Sequence, residues 1–597
     1  MFTRVRLGLI VAFVLCLVSW WALARVYRGD AIPVPQIKAS VDDPYGSSEL
    51  AQYKLFNDAV LVNDLANLQE LASGSDYLAF QAALELSQNS ALSSQDRYLY
   101  LLRASELRLV DPIDREGNRA FALRLAQAAE EAGLVSEALK HYAEALPLEE
   151  AEDAYNRLEL NVFRRANAFL NASMYQEVID ALNGQLAPSL EAPAYRRLGE
   201  YEKALDAYDR WLTEIPDSFD AQLGKGWMYY TLEEYDKAQS VFATLPGNAA
   251  RYAEAMANLR LGDLDRAIVL LEGTADPDYL WMATGYLEAE NRFVDAIPIY
   301  MKLAQGSSKL ADDAAYRAYS LANRFGFEDL KAEALSHLPD ESFFAQKLGT
   351  TFRLPETQVF PSVSPPVQTL AYALARAGNH QAAIGELLFA LKSASSPEEI
   401  LAIAEYLQSF GEYRQSQRAV SLLFSGPSAA LVRQDIRAWR LAYPRAYEAE
   451  ILLETQKYNL DPFLVWAIMR QESAFFPRAV STSKAKGLMQ VVPLTWDWLA
   501  ELQKEAPGNP FDAATNIRYG VFYLNWLRNY FSDFNGDQEL MIASYNRGQG
   551  YIKRLFESDY VNRQKDELYR EIDALETREY LQQVSLNYEV YKQLYGQ

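Results

Sequence analysis

Leu198–Ala204 reads Leu-Gly-Glu-Tyr-Glu-Lys-Ala, and further along Leu232–Ala238 reads Leu-Glu-Glu-Tyr-Asp-Lys-Ala. A unit that recurs at such an interval cannot bury its apolar face alone, and does so by stacking on the next copy. The pattern continues at Gly262…Ala267 and at Asn291-x-Phe293-x-x-Ala296, at a slightly shorter spacing. Upstream it appears as Gly133…Ala138 and downstream as Gly378…Ala383. Ala, Leu, Glu and Tyr dominate from about residue 45 to 440, with Gly and Pro mostly between helical stretches. The small residue is expected to let paired helices approach, and the aromatic to fill the groove beside it.

This spacing resembles tetratricopeptide repeats in a degenerate, irregular array. The resemblance implies an α-superhelical array over residues 31–347, offering a curved surface to a partner or long substrate, or serving as a rigid spacer. Pro355, Pro361, Pro365 and Pro366 then cluster, which opposes helix and central strand, so 348–367 is expected to be a linker or extended strap. Helical patterning resumes over 368–444 and ends at Tyr443-Pro444, leaving 445–597 as a C-terminal domain.

The 597 residues exceed one hydrophobic core, so several domains are expected. The net charge is −23, from 57 Lys and Arg against 80 Asp and Glu, and argues against a nucleic-acid binder. Residues 445–597 hold 17 basic and 21 acidic side chains, a net of −4, so most of the acidity belongs to the array. Cys16 is the single cysteine, and the three histidines are His141, His337 and His380, so none lies in the C-terminal domain. Ser-His-Asp, Cys-His and His-ligated zinc chemistry are excluded there. Carboxylates, hydroxyls and amides must act instead, and neither metal nor cofactor is expected.

The N-terminus (residues 1–30) carries an uncharged run, Leu7–Ala24, after Arg4 and Arg6. Its length and the Trp20-Trp21 pair suit a retained anchor in the inner membrane. Ala22-Leu23-Ala24 also has the small-x-small form of a signal-peptide cleavage site. Either reading exports the remainder of the chain.

In the C-terminal domain, Asp461-Pro462 is a helix start, with Asp as cap and Pro at the first position. Phe463–Met469 is wholly apolar and leads into Arg470-Gln471-Glu472-Ser473. Leu464, Ile468 and Glu472 share one helical face, so Glu472 falls on a stripe that is otherwise core. Desolvation there favours the protonated carboxyl, which suits a general acid toward a glycosidic oxygen.

Three more segments follow: Gly487-Leu488-Met489-Gln490, Ser544-Tyr545-Asn546-Arg547-Gly548 and Glu576-Thr577-Arg578-Glu579-Tyr580. With Glu472-Ser473, their order and spacing resemble the lytic transglycosylase (SLT) domain, a lysozyme-like, mainly α fold that cuts peptidoglycan. Asp512-x-x-x-Asn516-Ile517-x-x-Gly520-x-x-Tyr523-Leu524 is similar to that family's central helix. The architecture as a whole is similar to the long soluble lytic transglycosylases of Gram-negative bacteria, which place a helical superhelix before the catalytic domain.

The resemblance implies an all-α periplasmic enzyme acting on peptidoglycan glycan strands. Glu472 would be its single acid/base, cleaving the MurNAc-β-1,4-GlcNAc bond without water to leave 1,6-anhydroMurNAc ends. Ser473 and Asn546 would orient the substrate acetamido and Gln490 would bind a sugar amide or hydroxyl. Tyr580 would lie beside the acid, Gly487 would let the protein backbone approach the glycan, and Met489 and Tyr545 would wall the groove. A cell-envelope protein is a candidate partner for the array, with a rigid spacer as the alternative. A non-catalytic peptidoglycan-binding scaffold and a hydrolytic muramidase stay open; the latter needs a second acid, for which Asp497 and Asp512 are weak candidates. Departures from the family pattern are Lys484-Ala485, Arg547 and Gln549, where Gly-Ala, Ala and Pro are common.

Overall fold

The repeat signature becomes pairs of helices, and its glycine and alanine have separate tasks. The computed structural model describes residues 50–596 except 109, 111–113, 160, 340–341, 350–352, 535, 558–571 and 573–574. Gly199 and Gly262 end their helices in the left-handed region (φ 80° and 84°), with open space where a Cβ would stand. They are stop signals that only glycine adopts without strain. Close approach comes instead from the alanines: Ala138, Ala204, Ala238, Ala267, Ala296 and Ala383 are all 0 % exposed.

The repeat aromatics divide: Phe293 packs against a buried core and Tyr235 meets Tyr230, whereas Tyr201 is 37 % exposed. Rings later in the units fill grooves as well. A Cβ on Gly224 would lie 2.3 Å from the Tyr208 ring, and one on Gly226 2.3 Å from Phe242. Burying a ring such as Phe242 contributes about 2 kcal/mol, provided the facing residue leaves room.

The chain divides into two compact units. One is Arg119–Phe352; the other combines the described residues of Met1–Asn118 with those of Arg353–Gln597. The stretch expected as one array, 31–347, is therefore distributed over both. Within the discontinuous unit, Leu50, Tyr53, Tyr77 and Leu78 share a core with Leu374, Leu387, Ile403 and Leu407. Tyr53 donates to Glu386 Oε1 at 2.5 Å, across 333 residues of sequence.

The proline-rich segment is pinned as an extended strap. Asp435, fully buried, accepts from the backbone of Val359 (2.9 Å) and Phe360 (2.7 Å) while capping helix Ile436–Ala442 through Arg437 N (2.8 Å). Leu354 N donates to Gln593 Oε1 at 3.1 Å. Pro366 then opens helix Pro366–Arg376 at its first position.

Regular structure among the described residues is helical, apart from isolated bridges pairing Val480 with Lys486 and Lys486 with Val491. No helix among the described residues is long and apolar enough to cross a membrane. The expected membrane segment, residues 7–24, lies outside the described residues.

Candidate active site

Glu472 is placed by a helix anchored at both ends. Asp461 caps helix Pro462–Ser473 through Phe463 N at 2.9 Å, and Leu464 to Met469 are buried, as the apolar run requires. Trp466 donates its indole N–H to Ala446 O at 2.7 Å. Arg470 bonds Ala442 O (3.1 Å) and Asn587 Oδ1 (3.1 Å) and lies over the Tyr443 ring. The last helix, Leu575–Tyr595, runs antiparallel alongside. Its Tyr588 reaches back to Asp461 (2.7 Å), Tyr591 to Pro444 O (2.9 Å) and Tyr595 to Tyr443 O (3.0 Å). Two helices far apart in sequence are thus held in one register.

That register brings Tyr580 to Glu472. The phenol donates to Glu472 Oε1 at 2.6 Å. Glu472 keeps some side-chain exposure, yet its carboxyl is enclosed, and burial pushes its pKa up to about 8. The Tyr580 hydrogen bond opposes this rise and the negative charge of Glu576 adds to it. Tyr545 and Tyr580 are both raised well above the usual phenol value, chiefly by burial and then by Glu472. At neutral pH burial therefore favours the protonated Glu472 carboxyl, beside the neutral phenol of Tyr580.

The other expected residues gather around this pair in differing ways. Asn546, half-buried, accepts from Thr577 Oγ1 at 2.7 Å, which fixes which end of its amide faces away. Tyr545 donates to Met489 O at 2.7 Å. Gln490 donates to Ala479 O (3.0 Å) and Gly487 O (2.8 Å) from a left-handed backbone. Ser473 is 4 % exposed, and its hydroxyl donates to Leu488 O at 2.8 Å, tying the helix to the loop.

Two expectations are corrected. Met489 does not wall an open groove: it is 0 % exposed and packs against Gly520, where a Cβ would lie 2.7 Å from its Cγ. Gly487 is buried, and its missing side chain makes room for protein rather than glycan. A Cβ there would stand 2.2 Å from Asn516 Nδ2 and 2.3 Å from Pro510 O. Its φ of 79° adds a second reason for glycine.

Asn516 belongs to the central-helix pattern, which by itself assigns it no role. Almost fully buried, it donates to Lys486 O (3.1 Å) and Pro510 O (2.8 Å) and accepts from Met489 N (2.7 Å). One side chain thereby shapes the 486–489 loop. Glu576 and Thr577 likewise gain roles only in the structure: one adds a small charge effect to the burial of Glu472 and the other orients Asn546. Of the weak acid candidates, Asp512 caps helix Ala513–Tyr530 through Thr515 N (2.8 Å), and Asp497 is exposed on helix Pro493–Gln503.

The chain is similar to known proteins over parts of its length. The family model described as "Transglycosylase SLT domain" matches residues 451–568. A membrane-bound lytic murein transglycosylase C from Mannheimia succiniciproducens is 37 % identical over 142 residues, 21 % of this chain and 40 % of the relative. The protein of the same name from Yersinia enterocolitica is 40 % identical over 113 residues, 17 % of this chain and 32 % of its own. The chain thus spans less than half the length of these relatives. Among solved structures, a complex of the 70-kDa soluble lytic transglycosylase with bulgecin A aligns over 92 % of this chain and 97 % of its own. Its TM-score is 0.56 at 17 % identity, a likeness of fold. The family match takes in Glu472 and stops short of Tyr580, so residues 451–568 of this chain are similar in sequence to the transglycosylase SLT domain.

Proposed function

We propose that this chain is a lytic transglycosylase that cleaves peptidoglycan glycan strands, with residues 445–597 as its catalytic domain. The observation that carries the reading is Glu472, held protonated by burial and oriented by the Tyr580 hydroxyl at 2.6 Å. Its proton passes to the glycosidic oxygen as the bond to N-acetylmuramic acid C1 breaks. The sugar's own acetamido oxygen stabilises the developing cation. The Glu472 carboxylate then takes the C6 hydroxyl proton while that oxygen closes on C1, leaving a 1,6-anhydro end and consuming no water. General acid–base catalysis of this kind contributes about 10²–10⁴-fold.

Asn546 is the residue for the acetamido group, because Thr577 engages its carbonyl oxygen and leaves the NH₂ end to donate. Gln490, with its NH₂ on two backbone carbonyls, offers its oxygen to a sugar hydroxyl or amide. Export by residues 7–24 would place the enzyme in the periplasm, anchored to the inner membrane if that segment is uncleaved. The helical repeats would supply a surface for an envelope partner in cell-wall remodelling.

A hydrolytic muramidase is the second reading, favoured by the Glu576 charge near Glu472. Mass spectrometry of sacculi digested with the full chain separates the two. Anhydro ends are expected; reducing ends would overturn the lytic mechanism, and absence of soluble products would overturn the enzyme. The N-terminal mass of protein taken from membranes tests cleavage after Ala24.

A further inference from the structure

Arg470 stands two residues before the acid and touches three separate parts of the chain. Its Nε–H donates to Ala442 O at 3.1 Å, one of the end carbonyls that helix Ile436–Ala442 cannot satisfy internally. Its Nη1 donates to Asn587 Oδ1 on the last helix, also at 3.1 Å. The guanidinium carbon lies 4.1 Å from the centre of the Tyr443 ring, which meets Tyr591 of the last helix edge-on at 5.5 Å. No carboxylate pairs with Arg470 among the described residues, so directed bonds and the ring hold it rather than an opposite charge.

Asn587 is the other half of the joint. It is 1 % exposed, and both ends of its amide face the acid helix: Oδ1 toward Arg470 and Nδ2 toward Ala467 O at 3.5 Å. A buried amide keeps one orientation because the alternative leaves a polar atom unpaired. Asn587 follows Tyr580 by about two helical turns, so the two share the face that packs on helix Pro462–Ser473. Val584 and Tyr591 on that face are fully buried.

The effect on the acid is indirect. Besides burial, the side chains that act on the Glu472 carboxyl are Tyr580, by its hydrogen bond, and Glu576, by its charge. Both stand on the last helix, and Arg470 is not among them. Whatever fixes that helix along the acid helix therefore also fixes the hold of Glu472 on its proton.

We infer that Arg470 is a positioning residue for the acid: through Asn587 it sets the Tyr580–Glu472 contact, and through Ala442 O and Tyr443 it ties that contact to the helix preceding the catalytic domain. This rests on the reading of the domain as a glycan-cleaving enzyme with Glu472 as its acid. Lysine is no substitute, because a point charge cannot aim two bonds in a fixed fork while lying flat on a ring.

The test is the pH–rate profile of the full chain on glycan strands. Arg470→Met keeps the apolar stem and removes all three contacts. It is expected to lower kcat about 10-fold, to leave KM within twofold, and to move the alkaline limb up by about half a pH unit, the direction of Tyr580→Phe. Asn587→Leu is expected to move the limb likewise, and it carries the test where Arg470→Met does not fold. Added to Tyr580→Phe, Arg470→Met should move the limb no further, since the contact it controls is already gone. A limb unmoved by Arg470→Met and Asn587→Leu overturns the assignment, as does a full further shift on Tyr580→Phe or complete restoration by Arg470→Lys. A merely structural Arg470 would lower the melting midpoint and leave the limb in place. Failure of the enzymatic reading is seen separately, as Glu472→Gln leaving sacculus digestion by the otherwise native chain intact.

Discussion

Glu472 and Glu386 are the same device in two places. Each is a glutamate on a helix, enclosed by protein, accepting a tyrosine hydroxyl from a distant helix: Tyr580 at 2.6 Å and Tyr53 at 2.5 Å. Burial pushes both carboxyls upward, to about 8 and about 7. Around Glu386, Asp76 adds to the rise and the Leu78 backbone opposes it, but the residue is 7 % exposed between packed helices. Glu472 instead lies in electrostatic reach of half-buried Tyr545 and retains exposure of its own. A raised carboxyl pKa therefore reports burial; access for a substrate decides whether it becomes chemistry.

The contrast breaks most directly with paired substitutions. Glu472→Gln should lower sacculus digestion by about 10³-fold, with the melting midpoint held, while Glu386→Gln keeps digestion near the parent rate. Comparable activity losses in both variants would abolish the distinction.

Stability against pH is the next test. The native carboxyl of Glu386 holds its proton up to about 7, whereas the unfolded chain releases it near 4.5. Between these values the native state binds more protons, so stability falls as pH rises through that window, by about 3 kcal/mol from this residue. Glu386→Gln should remove that decline and melt higher than the parent at pH 8. Melting midpoints from pH 4 to 8 check it, and parallel curves for the two proteins would sink it.

A smaller effect concerns the tyrosine. Tyr580→Phe removes the hydrogen bond that lowers the Glu472 pKa, so the alkaline limb of activity, near pH 8, should move to higher pH. An accompanying loss of about 10-fold in rate is expected from the freed carboxyl orientation. A pH–rate profile with an unmoved limb would separate Tyr580 from the acid. The smallest expected change is Met489→Leu, a volume-conserving swap in the Gly520 contact costing under about 1.5 kcal/mol. If Met489 touched glycan instead, substrate affinity would change while the melting midpoint stayed put.

Much of the site was readable because its spacing is local. The apolar run before Arg470 and the Asp461-Pro462 start placed Glu472 on a buried helix, and the segment ending in Tyr580 stood out as a unit. What failed was the direction of individual side chains. Met489 and Gly487 sit in a loop whose turn inward depends on Asn516 of the central helix, and no periodicity reports that bond. The repeat glycine is ambiguous in a similar way, since a left-handed stop and a close approach both demand the smallest residue.

By itself, the sequence determined the helical class and the absence of histidine and cysteine from the C-terminal region, and it put Glu472 forward as the candidate acid. These follow from composition and from patterns within a few turns of helix. Only the tertiary structure decided that Tyr580 meets Glu472 and that residues 50–78 close on a core near residue 400. Each of those joins segments far apart in the chain, where packing rather than local propensity selects the neighbour.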